Sequence, residues 1–222
     1  MTRFTDPSLR LASPVLLDHL RSLHDALDGV PQHLDRLDGW GRHLAEVLEG
    51  GGRLLVGGNG GSAAQAQHLT SELVGRFRDD RRPYSALALH AETSAVTAIV
   101  NDYGADALFA RQVQAHGRRG DVLLLLSTSG RSPNVCLAAR AARAMGVTSW
   151  ALTGPGPNAL ASCTDEALEV AAPSTATVQE VHQVLVHLLC VAFEEHLPVK
   201  PPGYEVECVA SVSTVPDTEL LW

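Results

Sequence analysis

No lysine- or arginine-rich block interrupts this 222-residue chain, and its net charge is −8, with a pI near 5.6. The densest cationic run, Arg76-Phe77-Arg78-Asp79-Asp80-Arg81-Arg82, carries its own acids. A general nucleic-acid or anionic-membrane surface is thereby excluded, whereas a local phosphate site, which needs only a few donors, is not. The four cysteines, Cys136, Cys163, Cys190 and Cys208, lack CxxC spacing, so neither a zinc ribbon nor a compact disulfide framework is implied. They read as reduced thiols. The opening Met1-Thr2-Arg3-Phe4-Thr5-Asp6 has no apolar leader core, and no stretch reaches the ~18 apolar residues of a membrane span. A soluble, cytoplasmic protein is expected. Internal repeats and long low-complexity segments are also missing.

What is present is hydrophobic content of 45%, enough for one α/β domain with a buried core and appendages. Residues 1–12 show no clear period. From Ser13-Pro14, Leu16, Leu17, Leu20, Leu23 and Leu27 recur at helical steps as far as Gly29. A second helix from Pro31 carries Leu34, Leu37, Trp40, Leu44, Val47 and Leu48 up to Gly50. These helices, within residues 1–50, are expected to divide their apolar stripes between the sheet and another subunit. Strands and helices then alternate over 51–197. Strands are read at Leu54–Val56, Ser85–Leu89, Val122–Leu126, Thr148–Leu152 and Ala167–Val170, and helices at Ser62–Val74, Thr93–Val100, Ala105–His116, Asn134–Met145 and Thr177–His196. The unbroken apolar run Val122–Leu126 suits a strand buried on both faces of a parallel sheet. Residues 198–222 form a proline-interrupted tail to which the sequence assigns no function.

The chain is organised around Val56-Gly57-Gly58-Asn59-Gly60-Gly61-Ser62, a strand running into a glycine-rich turn that opens a helix, with Ser62 the expected N-cap. Converging N–H groups and a helix N-terminus favour an anion there, although the string matches neither the dinucleotide fingerprint nor the P-loop. Four residues apart on the following helix, His68 and Glu72 share a face; they suit acid/base work, metal ligation or simply a solvated pair. A second strand-turn-helix unit, Ser127-Thr128-Ser129-Gly130-Arg131-Ser132-Pro133, crowds hydroxyls at the carboxyl end of a strand, where open α/β sheets bind ligands or where they merely cap a helix. In the last helix, Gln179, Gln183 and His187 drift slowly around one broad side, polar groups on an otherwise apolar body that need partners.

Together, Gly58-Asn59-Gly60-Gly61-Ser62-Ala63-Ala64, Gln67-His68, Glu72-Leu73-Val74-Gly75-Arg76-Phe77, Asn101-Asp102-Tyr103-Gly104, Ser127-Thr128-Ser129-Gly130 with Ser132-Pro133-Asn134, and Gln179-Glu180-Val181-His182 with His187 resemble the sedoheptulose-7-phosphate (phosphoheptose) isomerases of the SIS, or sugar isomerase, superfamily. The likeness runs from the N-terminal helices to about His196. It implies a flavodoxin-like three-layer sandwich with a five-stranded parallel sheet, assembled as a homotetramer with active sites between subunits. By the same resemblance, the substrate is a sugar phosphate and the activity an aldose–ketose isomerisation in nucleotide-activated heptose synthesis. Ser62, Ser127, Thr128, Ser129 and Ser132 are the implied phosphate binders, and Asn59, Gly60, Gly61, Asn101, Asp102 and Gln179 the sugar contacts. Glu72 also meets substrate, and with His187 it transfers the proton. Similar proteins carry zinc, for which His68, Glu72, Gln179 and His187 are the matching ligands. Gln65, where many relatives have an acid, and Thr177, where arginine is frequent, depart from the pattern. The competing readings are a non-catalytic scaffold of the same fold, of the type that associates with the bacterial replication initiator, and a sugar-phosphate sensor, which lacks its expected DNA-binding partner domain here.

Overall fold

The computed structural model describes residues 13–198, so the lead-in 1–12 and all of the expected tail beyond Pro198 lie outside it. Five strands, β1 (Leu54–Gly58), β2 (Ala86–Ala88), β3 (Val122–Ser127), β4 (Thr148–Thr153) and β5 (Glu166–Glu169), form one parallel sheet of order β2-β1-β3-β4-β5. Eight α-helices surround it: α1 (Pro14–Leu27), α2 (Leu34–Glu49), α3 (Gly61–Val74), α4 (Thr93–Tyr103), α5 (Leu108–His116), α6 (Pro133–Met145), α7 (Ala159–Cys163) and α8 (Thr175–Glu195). This is the expected flavodoxin-like sandwich, with the topological switch point between β1 and β3.

Strand geometry explains the two cores. Alternate side chains point to opposite faces, so Val122, Leu124 and Leu126 join Leu54, Val56 and Trp150 under α2, α3 and α8. Leu123 and Leu125 join Leu55 and Ala151 under α5 and α6. Every residue of β3 is buried, as its unbroken apolar run requires. Helix α8 has the length and hydropathy of a membrane span, but half of it is buried inside this fold, where Val181, Leu185 and Leu189 belong to the core. Helix α2 buries Leu37, Trp40, Leu44 and Leu48, while α1 leaves Val15, Leu16 and Leu20 exposed. Trp40 stacks on Trp150 of β4 with ring centroids 4.7 Å apart and planes within 2°. Trp40→Ala is therefore expected to cost about 3–5 kcal/mol of stability, to be read from urea unfolding.

Several boundaries differ from the sequence reading for local reasons. Ser62 does not cap α3: the cap is Gly60, at φ +55°, and Ser62 lies one residue inside the helix and is buried. The tight turn out of β1 demands a left-handed residue, which glycine supplies without strain. Pro133 at the first helical position starts α6 one residue early, after Ser132. Ser174 starts α8 at Thr175, its Oγ accepting from the Thr177 amide at 3.1 Å. Helix α4 continues to Tyr103, and a 3₁₀ turn at Ala105–Ala107 precedes α5.

Candidate active site

Both strand-turn-helix units meet at the switch point because β1 and β3 are neighbours. Gly58 permits the closeness: a Cβ there would lie 2.9 Å from Ser62 and 3.0 Å from the Leu126 carbonyl. The turns are tied side by side by a reciprocal amide pair, Asn59 Nδ2 donating to Asn134 Oδ1 and Asn134 Nδ2 to Asn59 Oδ1, each at 2.9 Å.

The serine loop is shaped from within and from behind. Ser127 Oγ accepts from the Gly130 amide and Ser129 Oγ from the Arg131 amide, both at 3.2 Å. Gly130 adopts φ +58°, and its carbonyl accepts from the Leu160 amide at 2.8 Å. The Thr128 carbonyl lies against Gly154, which has no room for a Cβ. Ser127 is buried, Thr128 and Ser132 are half-buried and Ser129 is exposed, so the loop offers hydroxyls at graded depth beside the N-terminus of α6. Hydroxyls and a helix N-terminus together suit a phosphate.

A second cluster of candidate residues lies between α3 and α8. His68 Nε2 lies 3.1 Å from Glu72 Oε1 and 2.9 Å from His187 Nε2. Ligand atoms of all three residues fall within 4.8 Å of one another. The sequence placed His68 and Glu72 one turn apart on α3; docking of α8 brings in His187. Two imidazoles and a carboxylate make a good donor set for a divalent ion such as zinc, whose four-coordinate ligands stand about 3.3 Å apart given bonds of roughly 2.0 Å. Gln179, the fourth expected ligand, sits elsewhere: its amide covers Gly61, where an added Cβ would be 2.5 Å from Nε2, and its carbonyl accepts from Gln65 Nε2 at 2.6 Å. The amide in contact with His187 Nε2, at 3.1 Å, belongs to Gln183. Gln65 thus joins α3 to α8, and Thr177, wholly buried, packs its hydroxyl on that of Ser174 at 2.8 Å.

Groups behind the site are held neutral. Burial, reinforced by the Glu72 and Glu194 charges, pushes the Cys190 thiol up to about 12. Burial also lowers His182 to about 4, leaving a neutral ring whose Nε2 donates to the Thr153 carbonyl at 3.1 Å. Asn101 and Asp102 are not brought to the other site residues. They are exposed at the end of α4, Asn101 Nδ2 donating to Asp102 Oδ1 at 2.7 Å, and among the described residues neither bonds to the loops or the cluster. No residue of α4 is buried. Three residues around the site escaped the sequence reading of its chemistry: Asn134 and Gln183, whose motifs drew notice without a role, and Arg81, which lay in a charge run.

The SIS domain model matches residues 18–154. A phosphoheptose isomerase of Streptomyces coelicolor is 62% identical over 184 residues, 83% of this chain and 80% of the relative. The chain belongs to the phosphoheptose isomerase family of SIS-domain proteins. Solved family structures agree in fold. The phosphoheptose isomerase of Neisseria gonorrhoeae superposes with TM-score 0.72 at 37% identity, and that of Francisella tularensis with 0.74 at 33%; each comparison covers 82% of this chain and 95% of the other. The serine loop lies at the switch point, and the His/Glu/His cluster lies further along α3 and α8.

Proposed function

We propose that this chain isomerises D-sedoheptulose 7-phosphate to D-glycero-D-manno-heptose 7-phosphate, supplying heptose for nucleotide activation. The observation that carries the reading is the gathering of His68, Glu72 and His187 from α3 and α8, with ligand atoms within 4.8 Å of one another. Family likeness adds the substrate class.

The residues divide the work. The reaction moves a carbonyl between C2 and C1, so a carbon-bound proton must leave C1 and a proton must be added at C2 through an enediol. Glu72 is the base that takes the C1 proton, and His187 is the acid that serves the oxygens as the double bond shifts. Ser62, Ser127, Thr128, Ser129 and Ser132 hold the phosphate at the far end of the sugar, so remote binding energy fixes the reacting carbons against Glu72. Asn59, Gly60, Gly61 and Gln179 are the sugar contacts that the family likeness implies. His68, Glu72 and His187 would hold zinc, with Gln179 the further ligand that the family likeness implies. When bound, the ion supplies charge stabilisation for a developing oxyanion.

We assign the protein to the cytoplasm, in keeping with the free thiols Cys136, Cys163 and Cys190. A homotetramer with shared sites is supported by α4, which buries nothing yet carries Asn101 and Asp102, and by the apolar residues that α1 leaves exposed. The test of the function is turnover of sedoheptulose 7-phosphate by purified protein with and without a chelator. The expected result is conversion that falls with the chelator and returns with added zinc; a folded, zinc-loaded protein that binds the sugar phosphate without converting it would favour the scaffold reading.

A further inference from the structure

Arg81 belongs to a stretch that reads as a solvated charge run, yet its side chain is only 4% exposed. Four of its five N–H donors are engaged. Nε lies 3.2 Å from Glu194 Oε1, and Glu194 is equally buried. Nη2 donates to the Glu72 carbonyl at 2.6 Å, and Nη1 donates to the carbonyls of Leu73 at 2.9 Å and Arg82 at 3.2 Å. The rings of Tyr84 and Phe193 flank the guanidinium at 5.2 and 5.5 Å.

The bonded carbonyls are not arbitrary. Helix α3 ends at Val74, so Glu72 and Leu73 lie in its last turn, where carbonyls have no partner within the helix. Arg81 fills that need and fixes the backbone from which the Glu72 carboxylate projects. Glu194 stands seven residues beyond His187 on α8, two turns along the same face. Helices α3 and α8 are therefore tied through Gln65 and Gln179, through His68, Glu72 and His187, and, two turns further along α8, through Arg81 and Glu194.

We infer that Arg81 is a positioning residue, setting the slide of α3 against α8 and with it the placement of Glu72 relative to His187. The inference deepens the proposed isomerase reading and rests on it for its kinetic consequence. A lysine cannot replace the fork, because one ammonium cannot span three carbonyls and a carboxylate in these directions.

Arg81→Lys keeps the charge but loses the fork. The double variant Arg81→Met/Glu194→Leu removes the buried pair without leaving an unpaired charge, a replacement that proteins commonly tolerate in stability. Melting temperature, kcat and KM for sedoheptulose 7-phosphate, and a crystal structure are measured for wild type and both variants. The expected result is a double variant that stays folded with melting lowered by the loss of the carbonyl bonds, KM within about twofold, kcat lowered about 10- to 100-fold, and a Glu72 carboxylate displaced from His68 and His187. Wild-type kcat with the three donors still clustered would overturn the inference. Failure of the wild type to turn over the sugar would defeat the isomerase reading, while the variant crystal structure would still decide whether Arg81 places Glu72.

Discussion

Replacing Glu72 with glutamine is expected to lower kcat by about 10²- to 10⁴-fold, the contribution of one well-placed general base. The substitution preserves shape and leaves the residue in the last turn of α3, held by its carbonyl to Arg81. Melting temperature and sugar-phosphate affinity should therefore change little, since the proposed phosphate site is a different loop. Loss in kcat with a nearly constant KM marks an interaction made in the transition state. Steady-state kinetics beside a calorimetric titration separates the two quantities. A variant that turns over at the wild-type rate places the base elsewhere.

Gly130→Ala is expected to act through KM instead. The added Cβ would lie 2.1 Å from Asn158 Oδ1 and 2.3 Å from its Cγ, and φ at this position is +58°. Asn158 cannot yield, because it is buried, its Nδ2 donates to Thr153 Oγ1 at 2.9 Å and its Oδ1 accepts from the Ala161 amide at 3.0 Å. The serine loop must move instead. A displacement of about 1 Å in a group that positions substrate is worth roughly 10²-fold in kcat/KM. Inhibition by inorganic phosphate should weaken in parallel. Unaltered KM and phosphate inhibition would remove the loop from the phosphate site.

How much of this was legible depended on how local each determinant is. The run Val122–Leu126 suited a strand buried on both faces and the glycines after Val56 a turn, so an alternating α/β chain was legible, while the five-stranded flavodoxin-like sheet came from the family resemblance. His68 and Glu72 were readable from their four-residue spacing. The capping of α3 was misread because Ser62 satisfies the usual preference, whereas the turn's requirement for positive φ at Gly60 is set by the approach of β1, β3 and the helix. Arg81 was hidden for a different reason: a cation in a mixed charge run looks solvated, and its buried partner Glu194 lies 113 residues away. The Asn59–Asn134 pair, 75 residues apart, likewise exists only because β1 and β3 are adjacent. Gln179 and Gln183 stand one turn apart on α8, and spacing alone could not say which amide would meet His187.

The most direct test of the central claim is to incubate the zinc-loaded protein with sedoheptulose 7-phosphate in D₂O and follow the anomeric region by proton NMR. The account predicts a manno-heptose 7-phosphate, with any solvent deuterium found at C2, the carbon at which the enediol is reprotonated. A folded, zinc-loaded protein that forms no aldoheptose phosphate would contradict it.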